Sequence, residues 1–308
     1  MDKISDLIFS STFIFSIIRV STPILYPALG AVIANKAGIP NIGLEGIMLM
    51  SALAGVVGSA FSGSALVGLI SALVAALLMS IFLAYFTLEM KTDVILGGIA
   101  LNLFSSGATI FMLYFLTGDK GTSASLASKV LPNINIPIIK DIPVIGEILS
   151  GHNILTYLVF ILAIGVWYMF KYTSLGLRLM AVGENSNAAE SVGINVNRTK
   201  YTALILSGIL AGIGGAFLSM GYVSWFSRDM TAGRGWIAIA AEAMGMGSVA
   251  GTILTSILFG AASALSNVLQ LVNMPVELVS TIPYVFTVIG IVFYAIRETK
   301  KKKEKFKD

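Results

Sequence analysis

Apolar runs of about 18 to 23 residues recur along the whole chain, the length a helix rising about 1.5 Å per residue needs to cross a hydrocarbon core of about 30 Å. Backbone in lipid has to satisfy its own N–H and C=O groups, and the period-two alternation of a porin strand is absent, so helices are the remaining solution. Composition agrees, because 56% hydrophobic and 12% charged residues with a mean hydropathy of +0.89 are far too apolar for a soluble domain. The expected fold is an all-α polytopic membrane protein, a helical bundle of about eight or nine transmembrane helices with one short or broken.

Spans are expected at 11–34, 44–60, 65–86, 94–116, 154–170, 201–222, 249–271 and 276–296. Pro23 and Pro27 predict a kink or partial unwinding in the first. Arg19, near one end of that run, reads as snorkelling to an interface rather than lining a pore. Asn35 to Gly46 reads as a turn rich in Gly, Pro and Asn that leads into the second span, with Glu45 at its start. Residues 117–153 form the longest polar stretch, and Pro132, Pro137 and Pro143 exclude a spanning helix there. The run Trp236 to Met246 is short of a full crossing, so it is a broken span or a re-entrant piece.

Charge decides between these. If the short run crosses, then Lys36, Lys91, Lys171, Arg178, Arg198, Lys200 and the seven basic residues from Arg297 onward share one side, thirteen of the twenty Lys and Arg residues. The positive-inside rule then favours nine crossings, with the basic tail and the polar island 171–200 in the cytoplasm. The tail at 298–308 is a topology signal or a contact to anionic lipid, which disposes of the net charge of +4 as a sign of nucleic acid. Cysteine is absent, removing disulfides and thiolate chemistry, and the lone His152 beside Gly151 and Asn153 is too few ligands for a metal. The opening residues MDKISDLIFSSTF do not read as a removable signal peptide.

The island reads KYTSLGLRLMAVGENSNAAESVGINVNRTK. Asn187 followed by Glu190 has capping-box spacing, AAESV supplies about a turn and a half of helix, and Gly193 is placed to end it in a left-handed conformation. A helix that short is unstable alone and is expected to dock on something, although by composition a solvated connector is an equal reading, since caps and turns are common in ordinary loops.

GLRLMAVGENSNAAESVGINV resembles the cytoplasmic loop of bacterial ABC importer permeases of the simple-sugar, nucleoside and branched-chain amino acid type. The blocks 22–52, 92–103, 206–220 and 233–260 match that family in order, and NIGLEG with GRGWIAIA is most similar to its nucleoside-type members. Met180 stands where a basic residue is usual, and Ser186 where proline is usual.

The resemblance implies that residues 1–297 form a single transmembrane permease domain. It assigns ATPase coupling to Gly183, Glu184, Asn185, Asn187, Ala188, Ala189, Glu190 and Gly193. It also implies an ABC ATP-binding subunit, a second permease subunit, homologous or identical, and an extracytoplasmic solute-binding lipoprotein, all at the bacterial cytoplasmic membrane. The chain has no P-loop, so no cofactor is expected on it, and ATP and Mg belong to the partner ATPase. Nucleosides are the first substrate expectation and simple sugars of the ribose or galactose type the second.

Polar residues within spans are candidates for a substrate path because burying them in hydrocarbon is costly without a partner. They are Glu45, Asn102, Trp236, Glu242 and Asn267, with Gln270 beside them. For Asn102 and Asn267 an interhelical hydrogen bond is at least an equal reading. Trp225 and Phe226 fit either stacking on a base or an interfacial aromatic belt. Gly245, Gly247 and Gly251 resemble a dinucleotide fingerprint in spacing alone, and close helix packing through Gly247 and Gly251, and likewise Gly208 and Gly212, is the better reading. An ion-coupled secondary transporter is the rival class, poorly served by so few ionisable residues in the spans. A membrane-embedded enzyme would need clustered acids, histidines or a metal site.

Overall fold

The computed structural model describes residues 10–137 and 142–270, with isolated positions beyond them. The expected span 276–296 falls largely outside the described residues, and the basic tail 298–308 wholly so. In chain order the helices are α1 (Ser11–Lys36), α2 (Leu44–Ser62), α3 (Ala65–Ala84, extended by a π turn, Tyr85–Glu89) and α4 (Val94–Thr117). Then come α5 (Ile145–Leu149), α6 (Ile154–Tyr172), α7 (Ser174–Glu184) and α8 (Ser186–Ser191). The chain continues with α9 (Val196–Phe217, extended by a π turn, Leu218–Tyr222), α10 (Arg234–Met244) and α11 (Val249–Gln270). Among the described residues there is no strand, and seven helices are long and apolar enough to cross a membrane. The chain is an all-helical, multi-pass integral membrane protein.

α1 and α9 form the axis of the bundle, and every residue of α1 from Val20 to Ala34 is buried. Their contact is close because small residues meet backbone: a Cβ on Gly30 would lie 2.5 Å from the Ser207 carbonyl oxygen. α3, α4 and α6 are peripheral, and their exposed Leu, Ile and Phe side chains present an apolar outer face. That is how a bundle with lipid outside sorts its helices.

Of the kink or partial unwinding expected at Pro23 and Pro27, the unwinding does not occur, since α1 is one helix through both prolines. Packing on all sides holds it, and Ser21 and Thr22 donate their hydroxyls to the Ile17 and Ile18 carbonyls one turn back. Residues 37–43 form the expected turn, part of it folded inward: Ala37, Ile39 and Asn41 are buried while Gly38 and Pro40 are exposed, and Asn41 Nδ2 donates to Ser207 Oγ at 3.0 Å. The buried non-helical backbone there is tolerated because protein surrounds it.

The short run, α10, and the loop before it lie between the two ends of the bundle. Ser227 pairs with Thr122 in the long 117–137 segment, at the end of the bundle opposite the island. Residues 228–233 then descend in irregular conformation, and α10 completes the passage to the island end, where Gly247 approaches Lys36. An eleven-residue helix is about 16 Å long, about half of what a core of about 30 Å needs.

Candidate translocation and coupling sites

The start of α10 leaves backbone N–H groups without intrahelical partners, and Gly233 before it has no side chain to cap them. Glu45, in the first turn of α2, supplies the cap from a different element. Its Oε1 accepts from Gly233 N–H at 2.8 Å and its Oε2 from Gly235 N–H at 2.6 Å. A carboxylate placed there meets both the donors and the positive end of the helix dipole. Contact is close enough to require glycine, since a Cβ on Gly235 would lie 2.6 Å from the Glu45 backbone nitrogen.

Asn102 on α4 fixes the same junction from the other side. Its Oδ1 accepts from Gly46 N–H at 2.8 Å while its Nδ2 donates to the Ile42 carbonyl at 2.9 Å. It ties α4 to the inward-folded start of α2, as the interhelical reading anticipates. Trp236 lies in the first turn of α10 with 44% of its surface exposed, so of the residues at this junction it is the one that presents a large free face. The structure thus brings Glu45, Asn102 and Trp236 into one neighbourhood.

Glu242 stands at the other end of α10. It is 4% exposed and accepts from Asn35 Nδ2 at 2.8 Å. Asn35 carried no signal beyond its place at the end of an apolar run, and Asn41, which reaches Ser207, lay in what reads as an ordinary turn. Asn267 and Gln270 are exposed near the end of α11. Asn267 lies eighteen residues, about 27 Å, beyond Val249, so it cannot share a ligand with Glu242. Phe226 is corrected from a stacking candidate to a core residue: it is fully buried with Leu49, Leu53, Val56 and Leu113. Trp225 remains 43% exposed.

The island contains more helix than its sequence suggests at first reading. α7 buries Gly176, Leu179 and Val182, spaced three apart on one face, while α8 buries only Ala189. Asn185, not Asn187, caps α8, its side chain accepting from Ala188 N–H at 3.0 Å, so the helix starts two residues before the expected capping box. The Asn185 oxygen reaches the third residue along, and Ser186 is thereby drawn into the helix. Gly193 does adopt φ 85°, the left-handed ending its position suggests. Asn187, Ala188, Glu190 and Val192 face outward, Val192 with 76% of its surface free. Glu184 is also exposed.

Gly183 joins the island to the bundle. A Cβ there would fall 2.1 Å from the Lys36 carbonyl oxygen, so α7 is pressed against the last residues of α1. Asn35, adjacent to Lys36, holds Glu242, and α10 leads from Glu242 to Glu45. A series of backbone and polar contacts therefore runs from the island to Glu45 at the start of α10.

Known proteins resemble the chain along nearly its whole length. It is 33% identical over 289 residues to the nucleoside ABC transporter permease protein NupC of Lactococcus lactis, covering 89% of each chain. It is 30% identical over 285 residues to the guanosine ABC transporter permease protein NupQ of Bacillus subtilis, covering 88% of each. Among solved structures, PsaBC from Streptococcus pneumoniae in complex with a Fab superposes with a TM-score of 0.55 over 94% of both chains at 18% identity, a likeness of fold. Residues 13–297, which hold both the buried junction and the island, match the family described as the permease component of the branched-chain amino acid transport system, and the chain belongs to that family of ABC transporter permeases.

Proposed function

We propose that this chain is the membrane-spanning subunit of an ABC importer for nucleosides in the bacterial cytoplasmic membrane. The observation that carries the substrate class is the 33% identity to a nucleoside permease across 89% of both chains. In this reading the outward residues of α8 dock on an ATP-binding subunit, which holds ATP and Mg, and a second permease, a copy or a homologue, completes the path. An extracytoplasmic solute-binding lipoprotein delivers the nucleoside. Closure of the ATPase pair moves α8, and the contacts of Gly183 with Lys36 and of Asn35 with Glu242 carry that movement to α10. α10 is suited to respond because Glu45, a residue of α2, caps its start by accepting from Gly233 and Gly235 N–H. The exposed Trp236 beside that end offers a flat apolar face to a base or sugar ring. The chain breaks and makes no covalent bond.

The test is uptake of radiolabelled guanosine and uridine by proteoliposomes containing this permease, its ATPase and its binding protein, with ribose and galactose as competitors. ATP-dependent nucleoside uptake is the expected result. Competition by ribose but not by nucleosides would move the substrate to the sugar class, and uptake driven by an ion gradient in the isolated chain would overturn the ABC reading.

A further inference from the structure

At the end of the bundle opposite the island, a cavity of about 150 Å³ opens between the first turns of α1, the start of α6 and the π turn after α9. Its walls are partly aromatic, Phe15 and Phe217, and partly polar, Arg19, Asn133, His152 and Thr156. His152 is 3% exposed, and its ring stacks on Phe15 with centroids 3.9 Å apart. Nε2 lies 2.9 Å from the Ile148 carbonyl oxygen, which can only accept, so Nε2 carries a hydrogen. Nδ1 is buried and has no partner. Such a group is costly to leave unpaired.

Arg19 lines the same cavity. One of its terminal nitrogens donates to the Tyr222 carbonyl at 2.8 Å, and its guanidinium lies 4.5 Å from the centre of the Tyr222 ring. Arg19 is exposed, so those two contacts leave most of its five N–H groups open to solvent, and no described acid pairs with it. Of the groups lining the cavity, Arg19 carries the one formal charge. Among the described residues, Tyr157 on α6, which accepts from the His152 backbone, Tyr222 and the exposed Glu147 on α5, bound to the Ser11 hydroxyl, are the other titratable groups around it.

We propose that this cavity binds a small oxyanion, held by the free N–H groups of Arg19 and by a proton taken up from solvent on His152 Nδ1. The chemistry matches the space: a tetrahedral or trigonal anion of about half a dozen heavy atoms suits a cavity of roughly five waters' volume. An anion supplies the countercharge Arg19 lacks and the acceptor that a protonated Nδ1 needs, as charge-assisted bonds from both sides. In the empty cavity burial, and secondarily the nearby Arg19 charge, holds the imidazole below its ordinary range against an opposing contribution from the Ile148 bond. It is therefore neutral near pH 7, and anion binding is coupled to proton uptake. The same chemistry describes a free anion and a lipid headgroup phosphate.

The lone histidine makes the test direct. The full chain, purified without a histidine tag in a phosphate-free non-ionic detergent and labelled with [15N]histidine, gives ring nitrogen signals from His152 alone. Without anion at about pH 7 the expected pattern is the neutral Nε2–H tautomer. Sulfate, whose charge is constant over this range, is expected to convert it to the doubly protonated ring, while chloride at equal ionic strength is not. Its Kd should tighten by up to about tenfold per unit fall in pH where binding takes up one proton. Arg19→Gln should abolish the response and Arg19→Lys weaken it. A response to lyso-phosphatidylglycerol but not sulfate identifies a headgroup site, and the reverse a free-anion site. A ring unchanged by either, or a full response in Arg19→Gln, overturns the proposal.

Discussion

Replacing Glu45 by Gln removes the charge and one of the two acceptor oxygens while keeping the shape, so either Gly233 or Gly235 must lose its partner. A buried donor left unsatisfied costs about 1–3 kcal/mol, so Glu45→Gln should lower the unfolding temperature of the purified protein, and Glu45→Ala should lower it further. Unfolding temperatures equal to wild type in both would show that the cap does not hold α10. Gly193 poses a different residue-scale problem, because its Cβ would meet open space and only its φ of 85° restricts it. Left-handed backbone costs most residues about 1–2 kcal/mol, and Asn less. Gly193→Asn should therefore bind the ATPase subunit as wild type does, and Gly193→Val should not, in a pull-down from detergent. Equal capture by both would mean that the turn's conformation is irrelevant to docking.

At the scale of elements, α8 divides a substitution by face. Ala188 is exposed and Ala189 is 4% exposed, although they are neighbours with the same side chain. Ala188→Asp should leave the unfolding temperature unchanged while reducing ATPase capture by tenfold or more. Ala189→Asp should destabilise the protein itself, because a carboxylate is forced among buried groups without a partner. If Ala188→Asp couples normally, the outward face of α8 is not the docking surface. The sequence made the long helices legible because lipid imposes one length and one composition on them, and seven expected spans reappear within a few residues of their expected ends. The left-handed Gly193 was legible too, from its place after a short polar helix. The start of α8 was not: Asn185 and Asn187 are equally good caps, and the choice depends on how α7 ends. Nor was the inward fold within residues 37–43, since Gly, Pro and Asn mark a turn without saying whether protein or water surrounds it. The partnerships of Glu45 with Gly233 and of Asn35 with Glu242 join residues about two hundred positions apart, and nothing local encodes such a pairing.

For the whole molecule, the arrangement of α10 decides which ends of the chain share a compartment. Ser227 is paired at the end opposite the island and Gly247 lies beside Lys36 at the island end, so residues 228–246 must cover the distance between them. The first part of that stretch, residues 228–233, is irregular backbone tied to α2 through Glu45 and to α4 by the Ser106 bond to Asp229, with Arg228, Asp229 and Ala232 exposed. Because the chain has no cysteine, single cysteines report the sidedness without background. Ala127, Val192 and Ser248 are all exposed, one in the long loop, one in the island and one just past α10. In intact cells a membrane-impermeant maleimide should label Ala127→Cys and spare Val192→Cys and Ser248→Cys, both of which should become reactive once the membrane is permeabilised. Labelling of Ser248→Cys together with Ala127→Cys from outside would make the segment re-entrant, placing α10 on the wrong side to relay any movement from the island. If Val192→Cys and Ser248→Cys instead respond together, the positive charges around 171–200 and the inner end of α10 lie in one compartment. That compartment is the one from which an ATPase subunit could push on Gly183 and be felt at Glu45.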